Sequence, residues 1–240
     1  MSEHPVGLIN LLIRAWRLYR RHAALLVPTF LVVFILLREL LLVVLVIDMP
    51  DLTLLLVVTL VQAVIPGFVG SLLVASAVPV LGTDAYRSLR EAWGSLSADR
   101  SAIYRSGVWS AGLALFAAIT LGPVGLIVQP MLLGPPLLIH EVTLQRRGFE
   151  AARERTMAMI SRDTRSLAYL LIIPAAVGLL VSITLRTFGV LSGDVPGMAR
   201  GIVYFALQGA LTGVAIPYVA AVALLCYRDL ASTLGGEEAR

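Results

Sequence analysis

Two pairs of adjacent ionisable residues fall inside long apolar runs of this 240-residue chain: Arg38-Glu39 in the run 23–47 and His140-Glu141 in the run 124–144. A charge within an apolar helix of membrane length costs about 2.5–3.5 kcal/mol even on the lenient insertion scale, so each one needs a partner or a use. His140-Glu141 follows Pro135-Pro136 and precedes Arg146-Arg147. A carboxylate beside an imidazole can carry protons when burial tunes both toward neutral pH. The simpler expectation is an interfacial pair bonded to the Arg146-Arg147 cluster just beyond it. Counted from an inner boundary near residue 23, Arg38 stands roughly 22 Å up a hydrocarbon core about 30 Å thick. The expected arrangement is Arg38 snorkelling to the outer surface while Glu39 turns into the bundle. The alternative is a solute or ion site.

Other chemistry is sparse. His4 and His22 bracket the N-terminal segment, and no His/carboxylate spacing suggests a metal centre. There is no nucleophile elbow, phosphate loop or dinucleotide fingerprint, so neither a catalytic constellation nor a cofactor is expected. Cys226 is the single cysteine, which rules out an intrachain disulfide and is expected to pack as a small apolar residue, with palmitoylation as the alternative. No basic tract is interleaved with aromatics as nucleic-acid binding would require.

The elements that must position these residues are apolar and long. The hydrophobic fraction is 58% and the charged fraction 14%, against about 45–50% and about 25% in soluble domains. Runs near 23–47, 54–81, 103–121, 124–144, 166–186 and 200–226 each approach the roughly 20 helical residues that a bilayer core demands. Between them the arginines alternate. Arg14, Arg17, Arg20 and Arg21 precede the first run, Arg87, Arg90, Arg100 and Arg105 lie around the third run's start, and Arg146, Arg147, Arg153, Arg155, Arg162 and Arg165 precede the fifth. The intervening breaks hold no Arg, as in 48–53 with its Asp48 and Asp51 and at Gly122-Pro123, or have Arg only at their edges, as Arg186 and Arg200. Basic loops stay in the cytoplasm. The pattern therefore predicts an all-α integral protein of a bacterial inner membrane, with six transmembrane helices and both termini cytoplasmic. The chain reads as one membrane domain, 1–240, with 227–240 a cytoplasmic tail. The first run is too long for a signal-peptide core and is expected to stay as an anchor.

Each basic segment also carries an apolar stripe at helical spacing. Ile9, Leu12, Trp16 and Tyr19 oppose Arg14, Arg17 and Arg21; Tyr86, Leu89, Trp93 and Leu96 oppose Arg87, Arg90 and Glu91. A weaker stripe runs through Phe149, Ala152, Thr156 or Met157, and Ile160. Such helices suit the headgroup boundary, where basic residues meet anionic lipid. A shift of 77 lays Ala15-Trp16 on Ala92-Trp93, and a shift of 64 lays Leu96-Ser97 on Ile160-Ser161. Three parallel units follow, 1–81, 82–144 and 145–226, each an amphipathic inner-face helix leading into a two-span hairpin.

The run Arg14-Ala15-Trp16-Arg17-Leu18-Tyr19, the helix 149–165 after a Pro-rich span, and the ending Pro217-Tyr218 … Cys226-Tyr227-Arg228-Asp229-Leu230 together resemble a bacterial family of polytopic proteins. That family is similar to the membrane domain attached to some glycerophosphoryl diester phosphodiesterases. Its last motif usually reads closer to Tyr-Tyr-Asp-Leu-Arg, from which Cys226 and the inserted Arg228 depart. The resemblance implies a six-span helical domain and no chemistry, because the catalytic domain of those enzymes has no counterpart here.

The expected function is therefore non-enzymatic. A collar of Arg14, Trp16, Arg17, Arg87, Arg90, Trp93, Arg146 and Arg147 would meet anionic headgroups and dock a protein partner in an envelope complex. The alternative is a small transporter or lipid-handling protein using Arg38, Glu39, His140 and Glu141 as polar contacts in the bundle interior.

Overall fold

A computed structural model describes residues 7–47, 50–83, 86–96, 100–121, 136–162, 164–191 and 197–238. Among the described residues the chain is all helix, with no strand. Helix α1 spans Leu8–Val46; α2, Asp51–Thr59, runs through a π-turn, Leu60–Val64, into α3, Ile65–Gly82. The remainder are α4 (Leu89–Ser95), α5 (Arg100–Leu121), α6 (Pro136–Leu144), α7 (Phe149–Arg162), α8 (Thr164–Leu191) and α9 (Gly197–Glu238). Three of them are long and apolar enough to cross a membrane, over Leu8–Leu45, Ile65–Gly82 and Gly197–Ser232. The expected six spans and three hairpins go further than this. The predicted span 124–144 falls largely outside the described residues.

Helix α1 is one continuous rod of 39 residues, roughly 58 Å at 1.5 Å per residue. The separate surface helix expected ahead of the first span is not separate. The segment from Leu18 to Val27 contains no Gly, Pro or capping residue and includes Ala-Ala-Leu-Leu, strong helix formers that give the backbone no place to stop. Helix α4 does begin independently. Ser88 caps it by accepting from the Glu91 amide at 3.1 Å, while Glu91 Oε2 accepts from the Arg87 amide at 2.9 Å. This is a capping box displaced by one residue.

The buried face of α1 recurs every three to four residues, or two such steps, through Leu11, Ala15, Tyr19, Leu26, Phe30, Phe34, Arg38, Leu41 and Val44. The opposite face exposes Ile9, Val32, Leu36 and Val43. Large apolar side chains turned outward from Val32 to Val43 suit lipid rather than water.

The buried stripe of α1 packs antiparallel against α9. A Cβ placed on Gly209 would stand 2.6 Å from Ile35 Cα, and one on Gly213 would stand 2.6 Å from Leu31 Cα. Glycine spaced four apart lets the two backbones touch, which is how helices gain dispersion energy in a lipid solvent. At one end of the pair Tyr218 meets Trp16 and Tyr19 edge to face, with centroids 6.3 and 6.0 Å apart. The start of α1 and the end of α9 therefore lie at the same end of the molecule. The ends of α3 and α6 join them there. Arg228 donates to the Gly82 carbonyl at 2.9 Å, and Leu144 reaches the same glycine. An arginine on a helix's last carbonyl satisfies an acceptor that the helix leaves open. At the other end Leu41, Val44 and Val61 form a smaller cluster with Phe205.

Candidate functional site

Two polar constellations emerge, and they are far apart. The first is built on α6. His140 and Glu141 are both 0% exposed. The helix ends at Leu144, and Arg146 takes φ 51°, a left-handed conformation costing roughly 1–2 kcal/mol for a residue with a Cβ. That turn separates α6 from α7 and leaves Arg147 beside the carboxylate. Arg147 Nε lies 3.3 Å from Glu141 Oε2, and Arg155 Nε, from the first half of α7, lies 3.3 Å from Oε1. Tyr227 of α9 donates its hydroxyl to Oε1 at 3.0 Å. The His140 ring stacks on the Tyr227 ring with centroids 5.4 Å apart and planes 25° from parallel.

One carboxylate thus holds two guanidiniums and a phenol, from the α6–α7 connection, α7 and α9. Removing the buried carboxylate from such a set costs up to about 3–5 kcal/mol, because the guanidiniums around it lose their counter-charge. An arginine faces each carboxylate oxygen at ion-pair distance, although Oε2 accepts no hydrogen bond, so the group acts as a clasp joining α6, α7 and α9. Of the expected Arg146-Arg147 partnership, the structure brings in Arg147 and leaves Arg146 exposed. Sequence reasoning did not assign Arg155 or Tyr227 to Glu141. Tyr227 did carry a signal, since it sits in the C-terminal motif whose neighbours Arg228 and Leu230 hold Gly82 and the core.

The second constellation is Arg38 with Glu39. Arg38 is 3% exposed, and the snorkelling orientation is corrected by this burial. The physical reason is phase: Arg38 follows Phe34 by four residues and so falls on the stripe that faces α9. Its Nε and Nη2 atoms and Glu39 Oε1 are buried without a hydrogen-bond partner. Tyr204 of α9 lies within electrostatic range of the guanidinium. From Tyr204 to Tyr227 is 23 residues of one helix, roughly 35 Å. Arg38-Glu39 and His140-Glu141 are therefore at opposite ends of the bundle and do not form one path.

The collar residues divide. Arg14, Arg17, Arg87 and Arg90 are exposed, as is Trp16 at 53%. Trp93 is half-buried, packed on the core and edge-on to Tyr104 at 6.3 Å. In α4 the predicted stripe turns toward the protein's own core: Leu96 is buried, and Tyr86 and Leu89 pack beside it. In α7 the buried line is Ala152, Thr156 and Met159, while Met157 is 64% exposed. On α1, Leu12, Ile13, Trp16, Arg17, Arg20 and Arg21 line a surface groove of about 620 Å³. A second groove of about 610 Å³, nearly all apolar, runs past Tyr104, Val108, Trp109 and Phe149. Neither reaches Glu39 or Glu141.

Among the described residues no three His, Cys, Asp or Glu side chains gather as metal ligands would. Comparisons with protein-family models, with curated proteins and with solved structures give no match.

Proposed function

We propose that this protein is a non-enzymatic helical module of a bacterial inner membrane that docks an acidic protein partner through its basic collar. The observation that carries the reading is the inner portion of α1. There Arg14, Arg17, Arg20 and Arg21 stand exposed around the open Trp16 groove, on a helix too long for the bilayer alone. A cluster of arginines with an amphipathic aromatic is the composition of an interface anchor, and its charge favours an acidic surface.

The six-span topology belongs to the same proposal. It is supported by the 22 residues of α5 and 28 of α8, and by the common end shared by α3, α6 and α9. The arginine alternation favours the cytoplasm for that end, where the exposed arginines of α4 and α7 would complete the collar.

A photo-crosslinking residue at Ile13, inside the groove, tests the docking. In native membranes we expect a discrete protein adduct, lost on Arg17, Arg20 and Arg21→Glu but kept on Tyr227→Phe. Adducts with lipid alone would sink the idea. The second reading, a small transporter or lipid-handling protein, is favoured by the unpartnered atoms of Arg38 and Glu39. Glu141 favours it less, because an arginine faces each of its oxygens.

A further inference from the structure

Arg38 lies in the spanning part of α1, 3% exposed, with two guanidinium nitrogens unpartnered. A guanidinium keeps its proton in any protein environment, so this charge cannot be relieved by titration. Nε and Nη2 are the two donors along one edge of the group. That edge takes an oxyanion through two parallel hydrogen bonds. Glu39, next in sequence, buries Oε1 without a partner.

The two side chains leave the helix about 100° apart and do not pair with each other. They nevertheless flank one seam. Ile35 touches Gly209 and Leu42 touches Gly201, and positions three and four after Ile35 lie on that same face. The neighbours from α9 are Tyr204 and, one turn away, the half-buried Arg200, which is engaged in a contact of its own. One turn further along α1, Val61 of the π-turn packs on Leu41 and Val44. π-turns inside helices recur at functional sites.

An anion alone would meet repulsion from Glu39, and a cation alone would meet repulsion from Arg38. We propose that Arg38 and Glu39 form an intramembrane site for a zwitterion, with an oxyanion in the Arg38 fork and an ammonium on the same molecule at Glu39 Oε1. Aminoalkyl phosphate headgroups and free α-amino acids share this chemistry. The site is independent of the collar and of what docks there.

The purified full chain in detergent, examined by native mass spectrometry, tests the lipid source. The probes are phosphatidylethanolamine and phosphatidylglycerol, which share the phosphate and differ in the ammonium. Thermal shifts with glycine and with phosphoethanolamine test the soluble source. Arg38→Lys keeps the charge and removes the fork; Glu39→Gln keeps the shape and removes the charge. Retention of phosphatidylethanolamine over phosphatidylglycerol by about tenfold, abolished in both variants, supports a headgroup site. A thermal shift with either soluble zwitterion, abolished in both variants, supports a solute site. No discrimination by either class of probe, or discrimination that survives both substitutions, overturns the proposal. Should Arg38→Lys fail to fold, the near-isosteric Glu39→Gln decides alone.

Discussion

The Tyr227 hydroxyl donates to Glu141 Oε1 across 3.0 Å and across 86 residues of sequence. It brings a neutral donor to a carboxylate that already faces Arg147 and Arg155. A third cation would add repulsion among the arginines, whereas a phenol satisfies the oxygen at no charge. The clasp therefore predicts a ranking. Tyr227→Phe should lower the melting temperature by an amount corresponding to about 1.5–3 kcal/mol, the worth of one hydrogen bond to a charged group. Glu141→Gln should cost more, about 3–5 kcal/mol, because two guanidiniums lose their counter-charge. Arg155, with 18% of its side chain exposed, should matter more than Arg147 at 38%, where solvent screens the pair. Thermal unfolding of the four variants in one detergent checks the order, and equal effects for all would dismiss the clasp.

The seam between α1 and α9 makes a second prediction. Gly209→Ala or Gly213→Ala drives a methyl into the α1 backbone at 2.6 Å, where no flexible side chain can yield. Separation of the helices should follow, with a loss of about 1–3 kcal/mol or more. Gly201 faces only the tip of Leu42 at 3.2 Å and should be milder, and Gly197, with nothing within 4 Å, should tolerate alanine. A gradient from Gly213 and Gly209 through Gly201 to Gly197, read as melting temperature, checks the antiparallel register.

Much of this arrangement was legible in the residues. Apolar runs and arginine spacing pointed to helices in a membrane, and the pairing of His140-Glu141 with the neighbouring arginines pointed to Arg147. Depth in the span alone sends Arg38 toward the outer surface, whereas its helical phase turns it inward. Phe30, Phe34 and Leu41 place position 38 on the buried stripe whatever its height. Arg155 and Tyr227 were out of reach for a different reason. Their contact with Glu141 depends on how three helices meet, and the periodicity of one helix does not encode its neighbour's register.

Trp16 and Trp93 were expected at the same headgroup depth, and their surroundings now separate them. Trp16 is 53% exposed beside the groove, whereas Trp93 packs against Tyr104 and the core. Single-Trp variants in vesicles with brominated lipids should show strong quenching of Trp16 and weaker quenching of Trp93. Emission from Trp16 at the wavelength of a fully hydrated indole would remove it from the interface.

Topology follows from the same packing. With Gly213 against Leu31, Gly209 against Ile35 and Gly201 against Leu42, α9 runs back along α1, and whatever side holds residue 22 also holds residue 235. Arg228 on Gly82 ties the end of α3 to that side, and Leu144 ties α6 to it. The basic segments border this end, so it is expected in the cytoplasm. Reporter fusions after residues 22, 95, 160 and 235 should then read cytoplasmic, and fusions near 50 and 193 external. The informative disagreement would be at 95 or 160. An external signal there, with 22 and 235 still inside, would leave the α1–α9 pair intact while overturning the six-span reading of the helices between them.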